Sequence, residues 1–416
     1  MRSKAGAVLR QKGSVLMIVL ILMALLASIP IMMQLTTTNQ KSSQVQLSSV
    51  AQANNMARAG LLDAENWFRR QPIQPVADSQ VLPQYPDAAF QPVISTNTTQ
   101  SDTMDANIGI VQQYQIDTTG LLWGRYEVHK ATVGTTYPAD ASSVHDISNL
   151  RIAGAVAGAG SVWYIQSTGY IYKSLNPAVP FNQPPNVVLG SSKISTEIRR
   201  VTLSLPAEAA TVVNAGANPI VKLVNNGQIN GGTAYTGIAY YGVNSGSLIV
   251  GGGAPSGTPP TQYISTGAIN PVTIFGMSGH DLSLLADYSV TNVGQLPTQY
   301  PAQAIVYVNG NAVFMSSGVV NGGGILYVNG NLTFPTSGNV NFAGAIYTTG
   351  TALITGPALI SGCVMVGSTA ANALTVTGAG DSAQLVYNNP VIIMTQQQVA
   401  QYRESRSEYY TFTAFK

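Results

Sequence analysis

The sequence predicts an α+β N-terminal part followed by an all-β body, that is, a long helix with strand-like segments and then a parallel β-solenoid, or β-helix. Three observations carry this. A short phrase recurs at a spacing of 20 residues, as Tyr307-Val-Asn-Gly-Asn311, Tyr327-Val-Asn-Gly-Asn331 and Tyr347-Thr-Thr-Gly-Thr351, and a fixed period of that length means one coil per repeat. The chain has 41 glycines and 22 prolines but only 17 acidic residues and 19 Lys plus Arg among 416, a composition of turns and uncharged strands. Residues 34–71 contain a single glycine, Gly60, and no proline, which leaves a helix uninterrupted there.

The N-terminus opens with Arg2, Lys4, Arg10 and Lys12, then an apolar run from Val15 to Met33, and no acid precedes Asp63. A helix over that run spans about 28 Å, close to the thickness of a bilayer's hydrocarbon, and the basic flank would stay on the cytoplasmic side. The expectation is a single-pass inner-membrane protein, N-terminus cytoplasmic and the remainder periplasmic. A cleaved secretory signal fits less well, because Leu25 and Leu26 occupy the positions around Ala27 where small residues are needed. Beyond the run, Val45, Leu47, Val50, Met56, Leu61, Leu62, Ala64 and Phe68 form a loose apolar stripe that stops at Gln71-Pro72. The helix is therefore expected over residues 14–72, with 1–13 as a leader.

A basic leader, Gly13, an apolar helix and the continuation Ala57-Arg-Ala-Gly-Leu-Leu-Asp-Ala-Glu-Asn-Trp67 together resemble the N-terminal segment of type IV pilin-like proteins, in particular the PilX-type minor pilins. The resemblance implies cleavage by a prepilin peptidase between Gly13 and Ser14. It also implies a four-stranded antiparallel sheet on the C-terminal half of the helix. The implied partners are other pilins and minor pilins, the pilus assembly platform, the prepilin peptidase and the inner membrane, with the assembled protein at the cell surface. Ile18 stands where most major pilins carry a glutamate that pairs with a neighbouring subunit's N-terminus. That departure is similar to PilX-type proteins and the tip pseudopilin of type II secretion systems, and it implies a place at or near the end of a filament.

Residues 73–105 are rich in Pro, Gln, Thr and Asp without an apolar period and read as a long loop. Residues 108–116, 121–133, 162–172 and 197–205 have strand-like content, so 73–205 is expected to be the loop and sheet of the first part. From Ala207 onward Gly, Asn and Thr dominate, and Lys222 is the lone Lys or Arg between Leu205 and Ala400, against Glu208, Asp281, Asp287 and Asp381. Residues 206–393 are expected to form the solenoid in coils of ~20 residues, and 394–416 a cap with a closing strand, since an open end would expose unpaired strand edges. The single cysteine, Cys363, excludes an intrachain disulfide and reads as a buried, inert thiol.

Catalysis finds little support. His129, His145 and His280 lie in separate segments with no metal-ligand or nucleophile spacing. The runs Gly251-Gly-Gly-Ala-Pro255 and Gly322-Gly-Gly324 lack the Lys-Ser/Thr that a phosphate loop requires. No catalytic residue, metal or cofactor is assigned, and a polysaccharide-degrading β-helix enzyme is the least favoured reading. Strand alternation sets Val306 and Val308, Leu326 and Val328, Ile346 and Thr348 on one face and Tyr307, Tyr327 and Tyr347 on the other. The branched set is expected inward, with the tyrosines either an outer strip suited to a glycan or protein receptor, or covered by another part of the chain. A structural and assembly subunit of a pilus-like filament, displaying the solenoid for adhesion, is the function expected. The alternative, a DNA receptor of a transformation pilus, is disfavoured by one cation in residues 206–393, because duplex DNA is bound through Lys and Arg on phosphates.

Overall fold

The computed structural model describes residues 47–71, 74–76, 100–105, 108–131, 135–152, 155–214, 216, 220–242, 248–265, 267, 269–314, 320–336, 339–378, 380–405 and 410–414, with positions 17, 22, 23, 34, 40 and 44. Helix α1, residues 47–70, presents Val50, Ala53, Ala57, Leu61, Ala64 and Phe68 at three- and four-residue steps, and all six are buried. That stripe lies on a sheet of eight strands. Six come in order: β1 (Gln100–Asp105), β2 (Gly109–Gln115), β3 (Leu122–Lys130), β4 (Ser143–Asp146), β5 (Val162–Lys173) and β6 (Val187–Arg200), with a single-turn helix α2 (Ser148–Arg151) between β4 and β5. Phe68 centres the contact, its ring 5.0 Å from Trp163 and 5.4 Å from Tyr402. Close approach is possible because Gly169 of β5 has no side chain; a Cβ there would overlap the carbonyl of Ala53.

The second body is built from β7 (Ala209–Asn214), β8 (Val221–Val224), β9 (Gly227–Asn230), β10 (Thr236–Tyr241), β11 (Ile249–Val250) and β12 (Thr261–Ile264). Helices α3 (Pro271–Phe275) and α4 (Gly279–Leu285) follow. The regular coils are β13 (Tyr288–Val290), β14 (Ala304–Val308), β15 (Ala312–Val313), β16 (Val320–Val328), β17 (Leu332–Phe334), β18 (Val340–Thr348), β19 (Ala352–Thr355), β20 (Ala358–Val366), β21 (Leu374–Thr377) and β22 (Ala383–Val386). Helix α5 (Asn389–Gln398) then leads to β23 (Tyr402–Glu404) and β24 (Tyr410–Ala414), which pair antiparallel with β6.

Every strand pair of this body is parallel, and the pairing of Tyr307 with Tyr327 and Tyr327 with Tyr347 follows the repeated phrase. The next step shortens: Val340 pairs with Ala358. Between the ten-stranded and six-stranded sheets the core is branched and apolar, with Val306, Val308, Leu326, Val328, Ile346 and Ile354 fully buried. A glycine column, Gly324, Gly344 and Gly362 in one register, bends the coils. Gly344 has φ 148°, and a Cβ there would overlap the carbonyl of Gly324 in the preceding coil, so no other residue fits.

Three expectations are corrected. The fold class is not a long helix with an antiparallel sheet followed by a sequential β-solenoid: the structure is mainly β, its N-terminal helix α1 covers 24 residues among those described, and its sheets are mixed or parallel. In the first sheet β3 and β4 run parallel, the last two residues of β3, His129 and Lys130, pairing with Ser143 and Val144. In the ten-stranded sheet the order is β12-β10-β7-β20-β18-β16-β14-β13, so the chain starts mid-stack, winds to one end and resumes from the other. The single-pass inner-membrane location is corrected as well: among the described residues no helix is long and apolar enough to cross a membrane. Helix α1 carries Arg58, Asp63, Glu65, Arg69 and Arg70, which suits a helix half in water and half on a sheet. Most of the apolar run at 15–33 lies outside the described residues. Thirdly, the segment read as a loop to residue 105 ends in a strand, β1, paired along its length with β2.

Candidate functional site

Gly13, Ser14 and Ile18 lie outside the described residues. The structure does bring Tyr307, Tyr327 and Tyr347 together, one on each of β14, β16 and β18 in a single register. Their rings form a column with centroids 4.9 and 5.0 Å apart, the first pair nearly parallel at 14°, the spacing that parallel strands impose. The column is not an open strip. Relative exposures are 5%, 2% and 3%, so of the two arrangements the alternation allows the rings take the one covered by another part of the chain.

The cover is the segment carrying α3 and α4. Asn270 caps α3, accepting from the Thr273 amide at 3.0 Å, Pro271 starts it, and Gly276 ends it in the left-handed region at φ 73°. Ser278 caps α4, accepting from the Asp281 amide at 3.1 Å. Two caps only two residues apart turn the chain sharply and aim Ile274, Phe275, Leu282 and Leu285 inward, where all are buried. The Phe275 ring lies 5.9 Å from Tyr327 and 5.8 Å, edge-on, from Tyr347, a geometry favoured by aromatic quadrupoles.

The first sheet holds this cover in place. Thr202 and Ser204 donate backbone hydrogen bonds to the carbonyls of Phe275 and Ile274 at 3.1 and 2.8 Å. Arg199 of β6 pairs with Asp281 at 2.9 Å, and Arg403 of β23 with Asp287 at 2.7 Å. Behind them the buried Glu197 carboxylate takes Arg199 at 3.4 Å and also Arg151. These pairings join segments far apart in sequence, which the sequence reading missed. The legible signal was that the solenoid half's few acids include Asp281 and Asp287, while cations gather at residues 199, 200 and 403.

A shallow cleft of about 470 Å³ is lined by Tyr307, Tyr327, Asn309, Asn329, His280 and Ser283, among others. Asn329 donates to the Asn309 side chain at 3.1 Å, and Asn331 accepts from the Thr351 amide at 2.9 Å, so the polar residues of the phrase tie one coil to the next. Burial pushes the Tyr347 phenol up to about 12 and raises Tyr327 further, with help from its two neighbouring tyrosines. The column therefore stays neutral through the physiological range. No group of three or more His, Cys, Asp or Glu among the described residues could hold a metal ion.

No protein-family model matches the chain, and no curated protein matches it. Among solved structures the chain is similar to the crystal structure of the competence-associated pilin ComZ from Thermus thermophilus, at 11% identity over 88% of this chain and 98% of that one, with a TM-score of 0.20. Backbones related at that score do not superimpose as one fold.

Proposed function

We propose that this chain has a pilin-like structural role, associating with other pilus components and placed at or near the end of a filament. The observation that supports this most is the continuity of the N-terminal pattern: basic leader, Gly13, apolar run, then the amphipathic segment that forms α1. One stripe of α1 is buried on the sheet, whereas Leu47 and Leu62 remain 60% and 57% exposed. Exposed leucines on such a helix are what a neighbouring subunit's helix would cover. Placement at the end rests on Ile18, which cannot form the ion pair that the resemblance assigns to a glutamate. No catalytic role is assigned.

Mass spectrometry of the protein from its host tests the reading. A mature chain beginning at Ser14, a longer precursor in Gly13→Ala, and co-purification with filament subunits in low amount are expected. A mature chain beginning at Met1, or one that forms the bulk of the filament, refutes it.

A further inference from the structure

A concavity of about 880 Å³ lies on the outer face of the first sheet, opposite α1. We infer that it is a saccharide-binding site. This inference stands apart from the pilin-like role and from the tyrosine column.

Strand alternation builds its floor. Gly124, Tyr126 and Val128 of β3 face α1, so Trp123, Arg125 and Glu127 face outward; Ser167, Gly169 and Ile171 of β5 face α1, so Thr168, Tyr170 and Tyr172 face outward. Cross-strand pairing sets Arg125 opposite Tyr170 and Gln113 opposite Arg125. One wall is the loop of residues 174–186, and a single side chain holds it. Asn186 accepts from the amides of Leu175 and Asn176 at 2.7 and 2.9 Å and donates to the carbonyls of Asn176 and Val179, both at 2.9 Å. A wall fixed in this way is already formed before any ligand arrives, which removes an ordering cost from binding.

The loop delivers Phe181 into an aromatic corner, 5.0 Å from Tyr170 and 5.4 Å from Tyr172, with the Arg125 guanidinium 4.6 Å from its centroid. Polar groups beside that corner are locked. Arg125 donates to Glu127 at 2.7 Å and to the Gln113 carbonyl oxygen at 3.3 Å, and Tyr172 donates to the same oxygen at 3.0 Å. With its oxygen so engaged, the Gln113 amide leaves its NH₂ as a donor of fixed direction. Trp123 already spends its indole N–H on the Gly120 carbonyl at 2.9 Å, so it offers ring surface.

The chemistry selects the ligand. Arg125 and Glu127 neutralise each other, and the remaining cation, Lys193, is exposed at the rim. One rim cation does not suit a polyphosphate, whose affinity comes from many. A purely apolar ligand would strip water from the guanidinium, carboxylate and amide without replacing their hydrogen bonds. A sugar ring satisfies both sides: its C–H face lies on the tyrosine, phenylalanine and tryptophan rings while its hydroxyls meet planar donors and acceptors. The volume accommodates one to two rings, within the usual range of about 300 to 1,000 Å³ for small-molecule pockets.

The test is calorimetric titration and saturation-transfer NMR of the full chain with maltose, lactose, N,N′-diacetylchitobiose and digalacturonate, which span neutral, amide-bearing and acidic rings. At least one should bind saturably, and Tyr170→Ala should weaken it by about tenfold or more, the ratio corresponding to the loss of one good stacking contact. Asn182→Trp decides the matter if Tyr170→Ala is misfolded by circular dichroism, because residue 182 is exposed at the mouth and bulk there blocks access while removing no core contact. Tyr263→Ala, an exposed tyrosine on β12, should bind as the parent does. The inference is overturned if none of the four sugars binds, if binding is unchanged in a folded Tyr170→Ala and in Asn182→Trp, or if a thymidine oligonucleotide occupies the pocket and the sugars do not.

Discussion

Helix α4 seats on the tyrosine column through one missing side chain, and this gives a double-mutant test of the cover. A Cβ on Gly279 would overlap the Tyr327 hydroxyl and come within 3.0 Å of its Cζ. In an open site Gly→Ala at a helical position gains about 0.4–1 kcal/mol by restricting the unfolded chain. Here the phenol cannot swing aside, since Tyr307 and Tyr347 stack on its two faces and Phe275 lies 5.9 Å away. Overpacking of that kind costs about 1–3 kcal/mol, so Gly279→Ala should be net destabilising by roughly 1–2 kcal/mol. In the Tyr327→Phe background the overlapping atom is gone, and only the ring edge remains close. The coupling between the two substitutions should be about 1–2 kcal/mol, within the span for residues in contact. Urea unfolding of the four proteins, compared at a common m-value, measures it. Additive effects, with coupling below about 0.3 kcal/mol, would show that α4 does not rest on Tyr327 and would remove the reasoning that buries the column.

Two further predictions follow from the same structure. Gly344→Ala should lower stability by more than about 3 kcal/mol, because it combines a forbidden φ with overlap of the Gly324 carbonyl; a thermal melt within a few degrees of the parent would contradict the coil geometry. Glu127 titrates in a second test: burial opposes its charge, but hydrogen bonds from His129 and Arg125 outweigh that and hold its pKa below the ordinary 4.5, so its contribution is present above that value and is lost as pH falls through the lower, folded one. Glu127→Gln should therefore be less stable than the parent by about 1–3 kcal/mol at pH 7, with the gap closing on acidification; a gap independent of pH down to acid unfolding would refute the assignment.

What the sequence made legible was what repeats. The phrase at Tyr307, Tyr327 and Tyr347 marked the positions that pair from coil to coil, because each coil is specified locally by a branched run and an Asn-Gly or Thr-Gly bend, but it did not show that β16 and β18 reach back to Val320 and Val340. Of the stripe on the helix, Val50, Leu61, Ala64 and Phe68 are buried, whereas Leu47 and Leu62 face outward and the small Ala53 and Ala57 take the places between. Cys363 in its apolar run is fully buried, and burial pushes its thiol well above the usual range. Pairing between distant segments was not legible: neither Arg199 with Asp281 nor β20 with β7 leaves a local mark. The saccharide pocket was half legible. Its alternating residues stood in segments already read as strands, but the wall built by Asn186 depends on a loop whose shape no period encodes.

Burial of the tyrosines follows from the strand order. The chain leaves β12 at one end of the ten-stranded sheet and must reach β13 at the other, seven strand spacings away, or about 34 Å at 4.8 Å each. Its route can be traced. Gly267 comes against the Tyr241 ring of β10, the Ile269 amide donates to Asn214 of β7 at 3.0 Å, Phe275 meets Tyr347 of β18, and Gly279 meets Tyr327 of β16. The crossover thus steps along the same outer face that carries the column, strand by strand, until β13 pairs with β14. A stack that winds in sequence order could leave an aromatic column open to water. In this one the chain has to recross its own coils, and a flat ladder of rings supplies the apolar track on which α3 and α4 can lie.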